Sequence, residues 1–322
     1  MTDSILRDPI RFASHDGSSV IHGYVWHDTD AAGYKATVQI AHGMAEHIGR
    51  YDEFARFLVS RGYLVCGHDH IGHGASSSPE RWGCLPGENG KEYLIADMHE
   101  LRNKMVADYG AGGAPYFLFG HSLGSYLTRA YVTRHGGGLA GAVICGTGHV
   151  PPATSKLGNL LATFIAKRKG EDTKSKLLDS MGVGAYNKGI SNPRTPVDWL
   201  SFDEQNVDRY MRDERCGFMF SAGGYQLVTS LTEEVCSPKS ACAIPKNLPL
   251  LYVSGECDPV GDNGAGVRAA ATLARDAGVA DVEVKLYENM RHEILAEAEH
   301  EHVFADIAAW LDGHAAPQDA AQ

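Results

Sequence analysis

Residues 116–124 read Tyr-Phe-Leu-Phe-Gly-His-Ser-Leu-Gly. The first four are a strand-sized apolar run, and Gly120, His121, Ser122, Leu123 and Gly124 then fit the pattern G-x-S-x-G. Beyond it, Leu123, Tyr126, Leu127, Ala130 and Tyr131 recur at helical spacing. Strand, tight turn, helix is the context that a nucleophile elbow requires. Such a turn brings backbone against positions 120 and 124, so both need the smallest residue. It also lifts the Ser122 hydroxyl to the N-terminus of a helix, where free N–H groups and the dipole favour negative charge.

The same cadence extends in both directions. Short apolar runs at 37–41, 63–67, 115–119, 139–145, 248–254 and 282–287 read as strands. Helical patterns separate them, at 51–61, 94–109, 123–134, 265–277 and 303–311. Val20, His22, Tyr24 and Trp26 share one face of a further strand, while the first dozen residues show no clear period. Nearly all-apolar strands alternating with helices predict an α/β fold, a mostly parallel sheet covered on both faces. The cadence stops after Gly146 and resumes near 245. This divides the chain into a core, residues 1–148 and 245–313, and a helical cap inserted at 149–244. Residues 314–322 read as a flexible tail.

Composition narrows the classes. The chain has 322 residues, 43 % of them hydrophobic, with a formal charge of −11. That balance argues against a nucleic-acid partner, which needs a clustered positive surface. No apolar run approaches the ~20 residues of a membrane span. Met1 to Pro9 lacks an apolar h-region, so a cytoplasmic location is expected. Seven scattered cysteines without a Cys-x-x-Cys pair predict free thiols.

A serine hydroxyl becomes a nucleophile when a neutral imidazole takes its proton and a carboxylate fixes that imidazole. On this kind of sheet the order is Ser, acid, His, each at a strand end. The loop after 248–254 carries Asp258, with Glu256 and Asp262 as weaker alternatives. The loop after 282–287 carries His292, whereas His300 and His302 lie in an acidic helical stretch and read as surface groups. His42 and Gly43 follow strand 37–41, which assigns the backbone N–H groups of Met44 and Leu123 to an oxyanion hole. One such donor is typically worth ~3–4 kcal/mol in the transition state. An aspartate at the elbow would indicate a dehalogenase or epoxide hydrolase; serine stands there instead.

His-Gly-Met-Ala-Glu-His-Ile-Gly-Arg-Tyr at 42–51 and His-Asp-His-Ile-Gly-His-Gly at 68–74 resemble the monoacylglycerol lipase and lysophospholipase branch of the α/β-hydrolases, often grouped with serine aminopeptidase-like hydrolases. The likeness runs over roughly 10–148 and 245–312. It implies ester hydrolysis through an acyl-enzyme, no cofactor, and a mobile cap over an acyl pocket. It also implies that Glu46 and Arg50 lie near the polar head of the substrate, although both residues can equally serve to pin their loop. His68, His70 and His73 have the outline of a metal site, but the resemblance makes this stretch a turn shaped by Asp69 and its glycines, with no metal. Gly124 is followed by Ser125 where relatives commonly carry a second glycine.

Substrate is set by the cap. Leu157, Leu160, Leu161, Phe164 and Ile165 mark one helical face, followed by Lys167, Arg168, Lys169, Lys174 and Lys176. Either this is an amphipathic helix packed on the core with a solvated charge run, or Leu157, Leu161 and Phe164 line an acyl pocket or touch lipid, making transient membrane contact. Short-chain esterase, thioesterase and aminopeptidase activities share this fold, as do non-catalytic binding proteins.

Overall fold

The computed structural model describes residues 4–315. Eight strands form one sheet in the order β1-β2-β4-β3-β5-β6-β7-β8. They are β1 (Ile5–Ala13), β2 (Val20–Asp28), β3 (Ala36–Ala41), β4 (Tyr63–His68), β5 (Tyr116–His121), β6 (Gly141–Cys145), β7 (Leu250–Gly255) and β8 (Val282–Tyr287). β2 runs antiparallel to β1 and β4, and every other pair is parallel. Parallel neighbours need crossovers, supplied here by α1 (Asp52–Ser60), α2 (Gly90–Asp108), α3 (Leu123–His135) and α9 (Ala265–Asp276), while α10 (His300–Ala315) follows the last strand. β3, β4, β5, β6 and β7 are buried at every position, because apolar clusters cover both faces of the sheet.

Two edges depart from the sequence reading. The first dozen residues contain β1, which pairs along its length with β2. As an edge strand it buries little besides Ile10, so it has no need of apolar alternation, and Pro9 is tolerated there. In β2 the shared face of Val20, His22 and Tyr24 is the less buried one; Ile21, Gly23 and Val25 turn inward, while Trp26 packs into the opposite cluster. At the other terminus α10 continues through His314 and Ala315, and His314 Nε2 lies 3.1 Å from Asp281. The expected tail at 314–322 is therefore helical at its start; its remainder lies outside the described residues.

Between β6 and β7 the chain forms α4 (Pro152–Lys169), α5 (Lys176–Met181), α6 (Glu204–Arg212), α7 (Ala222–Val235) and α8 (Pro238–Ala241). Buried Arg129 of α3 ties both ends of this segment down. Its guanidinium donates to the carbonyls of Gly148 and Val235, each at 2.8 Å. Every one of the seven cysteines is a free thiol. Among the described residues no helix is long and apolar enough to cross a membrane.

Candidate active site

β5 ends at His121 and α3 begins at Leu123, so Ser122 alone makes the turn. Its backbone sits at φ 52°, ψ −118°, a conformation that costs a non-glycine residue roughly 1–3 kcal/mol and persists only where its surroundings enforce it. The enforcement is steric. A Cβ on Gly120 would lie 2.2 Å from the Gly124 carbonyl, and one on Gly124 would lie 2.0 Å from the Ala41 carbonyl. Ser125 does more than fit: its hydroxyl, buried, donates to the Ser122 carbonyl at 2.6 Å.

The other two candidates meet at neighbouring strand ends. Asp258 follows β7, and its Oδ2 accepts from His292 Nδ1 at 3.0 Å and from the Ser254 hydroxyl at 2.8 Å. Its Oδ1 accepts from the Val260 N–H at 2.8 Å. Burial pushes this carboxyl up, but the His292 charge and these hydrogen bonds outweigh it and hold the group below its ordinary range. For His292 burial acts downward, and Asp258, with Glu293 and Glu46 beyond it, raises the imidazole above its ordinary value. Ser122 and His292 both border the end of β6. The Ser122 N–H donates to the Cys145 carbonyl at 3.0 Å, and a Cβ on Gly146 would touch His292 Cε1 at 3.0 Å. Glu256 is exposed, as is Asp262, and neither bonds His292. His300 pairs with Glu53 at the surface.

The loop after β3 is fixed residue by residue. Glu46 Oε1 accepts from the Gly43 N–H at 2.5 Å, and His73 Nε2 accepts from the Ala45 N–H at 3.3 Å. Between them, the Met44 N–H has no acceptor among the described residues, and neither has the Leu123 N–H at the start of α3. Ala45 is held at φ 55°, a second strained residue beside the site. Gly43 lies against the elbow, since a Cβ there would be 3.0 Å from Ser122 Cβ.

Glu46 and Arg50 form part of a buried network. Arg50 bonds Glu46 at 2.8 Å and Glu293 at 2.5 and 2.8 Å, and its guanidinium lies 5.0 Å from the Tyr210 ring centre. The Tyr51 hydroxyl donates to Glu46 at 2.8 Å. His70 and His73 also brace this loop. His42 Nε2 accepts from the His70 N–H at 3.0 Å while His42 Nδ1 donates to the Gly43 carbonyl. Burial drives His68 down to about 3 and His73 to about 4. An imidazole with one nitrogen donating and the other accepting has no lone pair left for a metal, which is the state of His42 and His73. Asp69 accepts from the Ile48 and Ala75 N–H groups, each at 2.8 Å, and a Cβ on Gly74 would lie 2.2 Å from it.

The substrate contacts expected on α4 are placed differently. Leu157 is 69 % exposed and Phe164 57 %, so neither lines an enclosed pocket. Leu161 packs inward against the core with Ile165. The cause is that α4 rests on α7 through Ser155, Asn159 and Ala162, and the apolar set straddles that contact. The apolar group beside His292 is instead Trp199, with Tyr186 and Val260 packed in its cluster. A separate polar cleft of about 670 Å³ borders Glu46, Arg50, His121, Asn206 and Glu293; Ser122 and His292 are not among its lining residues. His121, Glu293 and Trp199 are the site residues that sequence reasoning missed. Two of them adjoin triad candidates in the chain, the one available signal.

Over residues 32–299 the chain matches the family described as Serine aminopeptidase, S33. It is 26 % identical over 317 residues to a monoacylglycerol lipase of Mycolicibacterium smegmatis, covering 97 % of this chain and 99 % of that one. Against the monoglyceride lipase of Homo sapiens it is 27 % identical over 290 residues, with 86 % and 82 % covered. A thermostable carboxyl esterase from Bacillus coagulans, solved in complex with glycerol, superimposes with a TM-score of 0.88 at 29 % identity, covering 96 % of this chain and 99 % of that one. The chain has the α/β-hydrolase fold and belongs to the serine aminopeptidase S33 family.

Proposed function

We propose that this protein hydrolyses carboxylic esters of a single acyl chain on a small polar head, as a monoacylglycerol lipase or lysophospholipase does, with Ser122, His292 and Asp258 as its triad. The observation that carries the reading is a strained serine at a strand–helix elbow, φ 52°, at the end of β6 that a buried His–Asp pair bonded at 3.0 Å also borders. Ser122 Oγ attacks the ester carbonyl while His292 takes its proton, and Asp258 stabilises the imidazolium. The N–H groups of Met44 and Leu123 hold the oxyanion. The carbonyl–oxygen bond then breaks, His292 protonates the departing alcohol, and water delivered through the same base releases the acid from the acyl-serine. No step calls for a cofactor.

The segment 149–244 acts as the cap. Leu157, Leu160, Phe164, Leu177 and Met181 stand exposed on α4 and α5, among Lys156, Lys167, Arg168, Lys169, Lys174 and Lys176, all exposed. The acids of that stretch each have a partner of their own: Glu171 bonds the Gly87 N–H, Asp172 pairs with Arg81, and Asp179 accepts from the Tyr225 hydroxyl. An apolar face rimmed with free cations, on a chain of charge −11, suits transient contact with an anionic lipid surface. Seven free thiols fit a cytoplasmic enzyme.

A short-chain carboxylesterase is the second reading, favoured by the likeness to the Bacillus coagulans esterase. Aminopeptidase action is disfavoured, because Glu46 and Glu293, the carboxylates beside the site, are both engaged by Arg50 and so cannot hold a substrate ammonium. Rates on monoacylglycerols of several lengths, a lysophospholipid, p-nitrophenyl esters and an aminoacyl amide separate these readings. Preference for medium or long monoacyl esters is expected. Activity confined to short esters would replace the lipase reading with the esterase one.

A further inference from the structure

One hydrogen bond, from Nδ1 to Asp258, fixes the His292 ring, and a single bond leaves the ring free to swing about it. Two aromatic side chains remove that freedom. His121 lies 4.6 Å away between ring centres and Trp199 5.0 Å away, tilted by 41°. His121 belongs to the elbow itself. Trp199 comes from the inserted segment, in the single turn Asp198–Leu200, and the hydrolytic steps described above make no use of it.

The indole is fixed from behind. Its backbone N–H donates to Asn187 Oδ1 at 3.1 Å, and the Tyr186 ring packs on it at 4.9 Å. The segment carrying it also holds both chain neighbours of the base. Arg291 Nη1 donates to the carbonyl of Asp198 at 2.7 Å, and the Glu293 N–H donates to the carbonyl of Leu200 at 2.8 Å. Asn206 Nδ2 donates to Glu293 Oε2 at 2.6 Å. Base loop and indole are thus parts of one bonded unit. Trp199 is 6 % exposed, and its Nε1–H is buried without an acceptor among the described residues. A buried donor left unpaired is unfavourable, so what recommends a tryptophan here is its face.

We propose that Trp199 is a positioning residue for the base: its indole face keeps the His292 ring directed along the Asp258 bond and stabilises the imidazolium formed when Ser122 loses its proton. The inference rests on the hydrolase reading above. A cation within ~6 Å of an aromatic ring centre is attracted by the ring quadrupole, and the observed separation falls inside that range. The other groups facing His292 are Asp258, Glu293 and Glu46, which favour its charged form, with Arg50 neutralising the latter two. His121 is pushed down to about 4 by burial and by the His292 charge; it is neutral where the enzyme works and adds no repulsion.

The test is kcat, KM and the pH profile on a soluble p-nitrophenyl ester for wild type, Trp199→Phe, Trp199→Leu and Trp199→Met, with thermal midpoints recorded for each. Phe keeps an aromatic face and discards the unpaired N–H, so its kcat should stay within about threefold of wild type. Leu and Met lack the face. Their kcat should fall by about tenfold to a hundredfold, the scale of a misplaced catalytic group, with KM little changed, and the rising limb of activity should move to lower pH. Met preserves an unbranched apolar filler should Leu fail to fold. Wild-type kcat and pH profile in both Leu and Met variants overturn the proposal, as does an equal loss in Phe or a loss confined to KM. An inactive wild type overturns the hydrolase reading instead, so the two failures are distinguishable.

Discussion

Arg50 grips Glu293, the residue directly after the proposed base His292, through both terminal guanidinium nitrogens, at 2.5 and 2.8 Å. The same cation bonds Glu46, whose other oxygen accepts the Gly43 N–H beside the proposed oxyanion donor. One side chain therefore ties the loop after β3 to the loop after β8. The two loops are far apart in sequence and meet only through the fold, so the spacing between Met44, the proposed oxyanion donor, and His292, the proposed base, depends on this ion cluster.

Replacing Arg50 by Met leaves Glu46 and Glu293 buried with their charges unpaired, a change that typically costs about 3–5 kcal/mol. Glu293 is pushed up by burial, but the Arg50 charge and hydrogen bonds outweigh this and hold it well below the usual carboxylate range. A depressed carboxyl contributes stability that is full above its unfolded value of about 4.5 and lost as pH falls toward its folded value. Urea denaturation should show Arg50→Met destabilised near pH 7 and the difference from wild type narrowing below pH ~4.5. Equal midpoints at neutral pH would mean the cluster contributes nothing.

Activity should rise with pH, because the base must be neutral to accept the Ser122 proton. Burial lowers His292, but Asp258 and the acids behind it raise it above its ordinary value, so the midpoint of kcat/KM should lie above about 6.5. Its contribution to stability runs the other way: full below about 6.5 and lost as pH passes the raised value. Asp258→Asn should cut kcat by about 10⁴-fold and shift the midpoint to lower pH. A profile flat from pH 5 to 8 rules out an imidazole base.

Gly124→Ala places a methyl 2.0 Å from the Ala41 carbonyl and 2.7 Å from that of His42. Backbone on that side can yield only by displacing the loop after β3, which carries the proposed oxyanion donor. A destabilisation of at least about 1–3 kcal/mol is expected, with a fall in kcat that exceeds any change in KM. A variant with wild-type midpoint and kcat would show that the elbow has slack that its geometry does not suggest.

Cosedimentation with vesicles checks the exposed face of α4 and α5. Binding should be stronger to vesicles containing phosphatidylglycerol than to pure phosphatidylcholine, and should weaken with salt. Leu160→Ser and the triple change of Lys167, Arg168 and Lys169 to Gln should each weaken it while leaving hydrolysis of a soluble ester intact. Binding that ignores lipid charge and salt removes the basic rim from the account.

The parallel centre of the sheet and the triad order are legible in the sequence, because buried strands are apolar runs and each candidate follows one directly. β8, an edge strand, is also legible: Val282, Val284 and Leu286 alternate with exposed Glu283 and Lys285, and only Tyr287 at its end is buried. β1 at the opposite edge is not, since its polar and apolar residues follow no period of two. The Arg50–Glu293 pair spans 243 positions, and no local pattern announces such a contact. Trp199 escaped for a related reason. It lies in a segment without sheet register, so nothing in its surroundings relates it to a strand end. The acyl-pocket placement on α4 was not legible, because helical spacing tells which residues share a stripe, without telling whether that stripe meets protein or solvent.

The most direct measurement is the mass of the intact protein after reaction with an alkyl fluorophosphonate, followed by peptide mapping, for wild type and Ser122→Ala. One adduct per wild-type chain is expected, located on Ser122, and none on the folded Ala variant, whose kcat should be lower by about 10³–10⁶-fold. An adduct on another residue, or a Ser122→Ala protein that still hydrolyses esters at the wild-type rate, would contradict it.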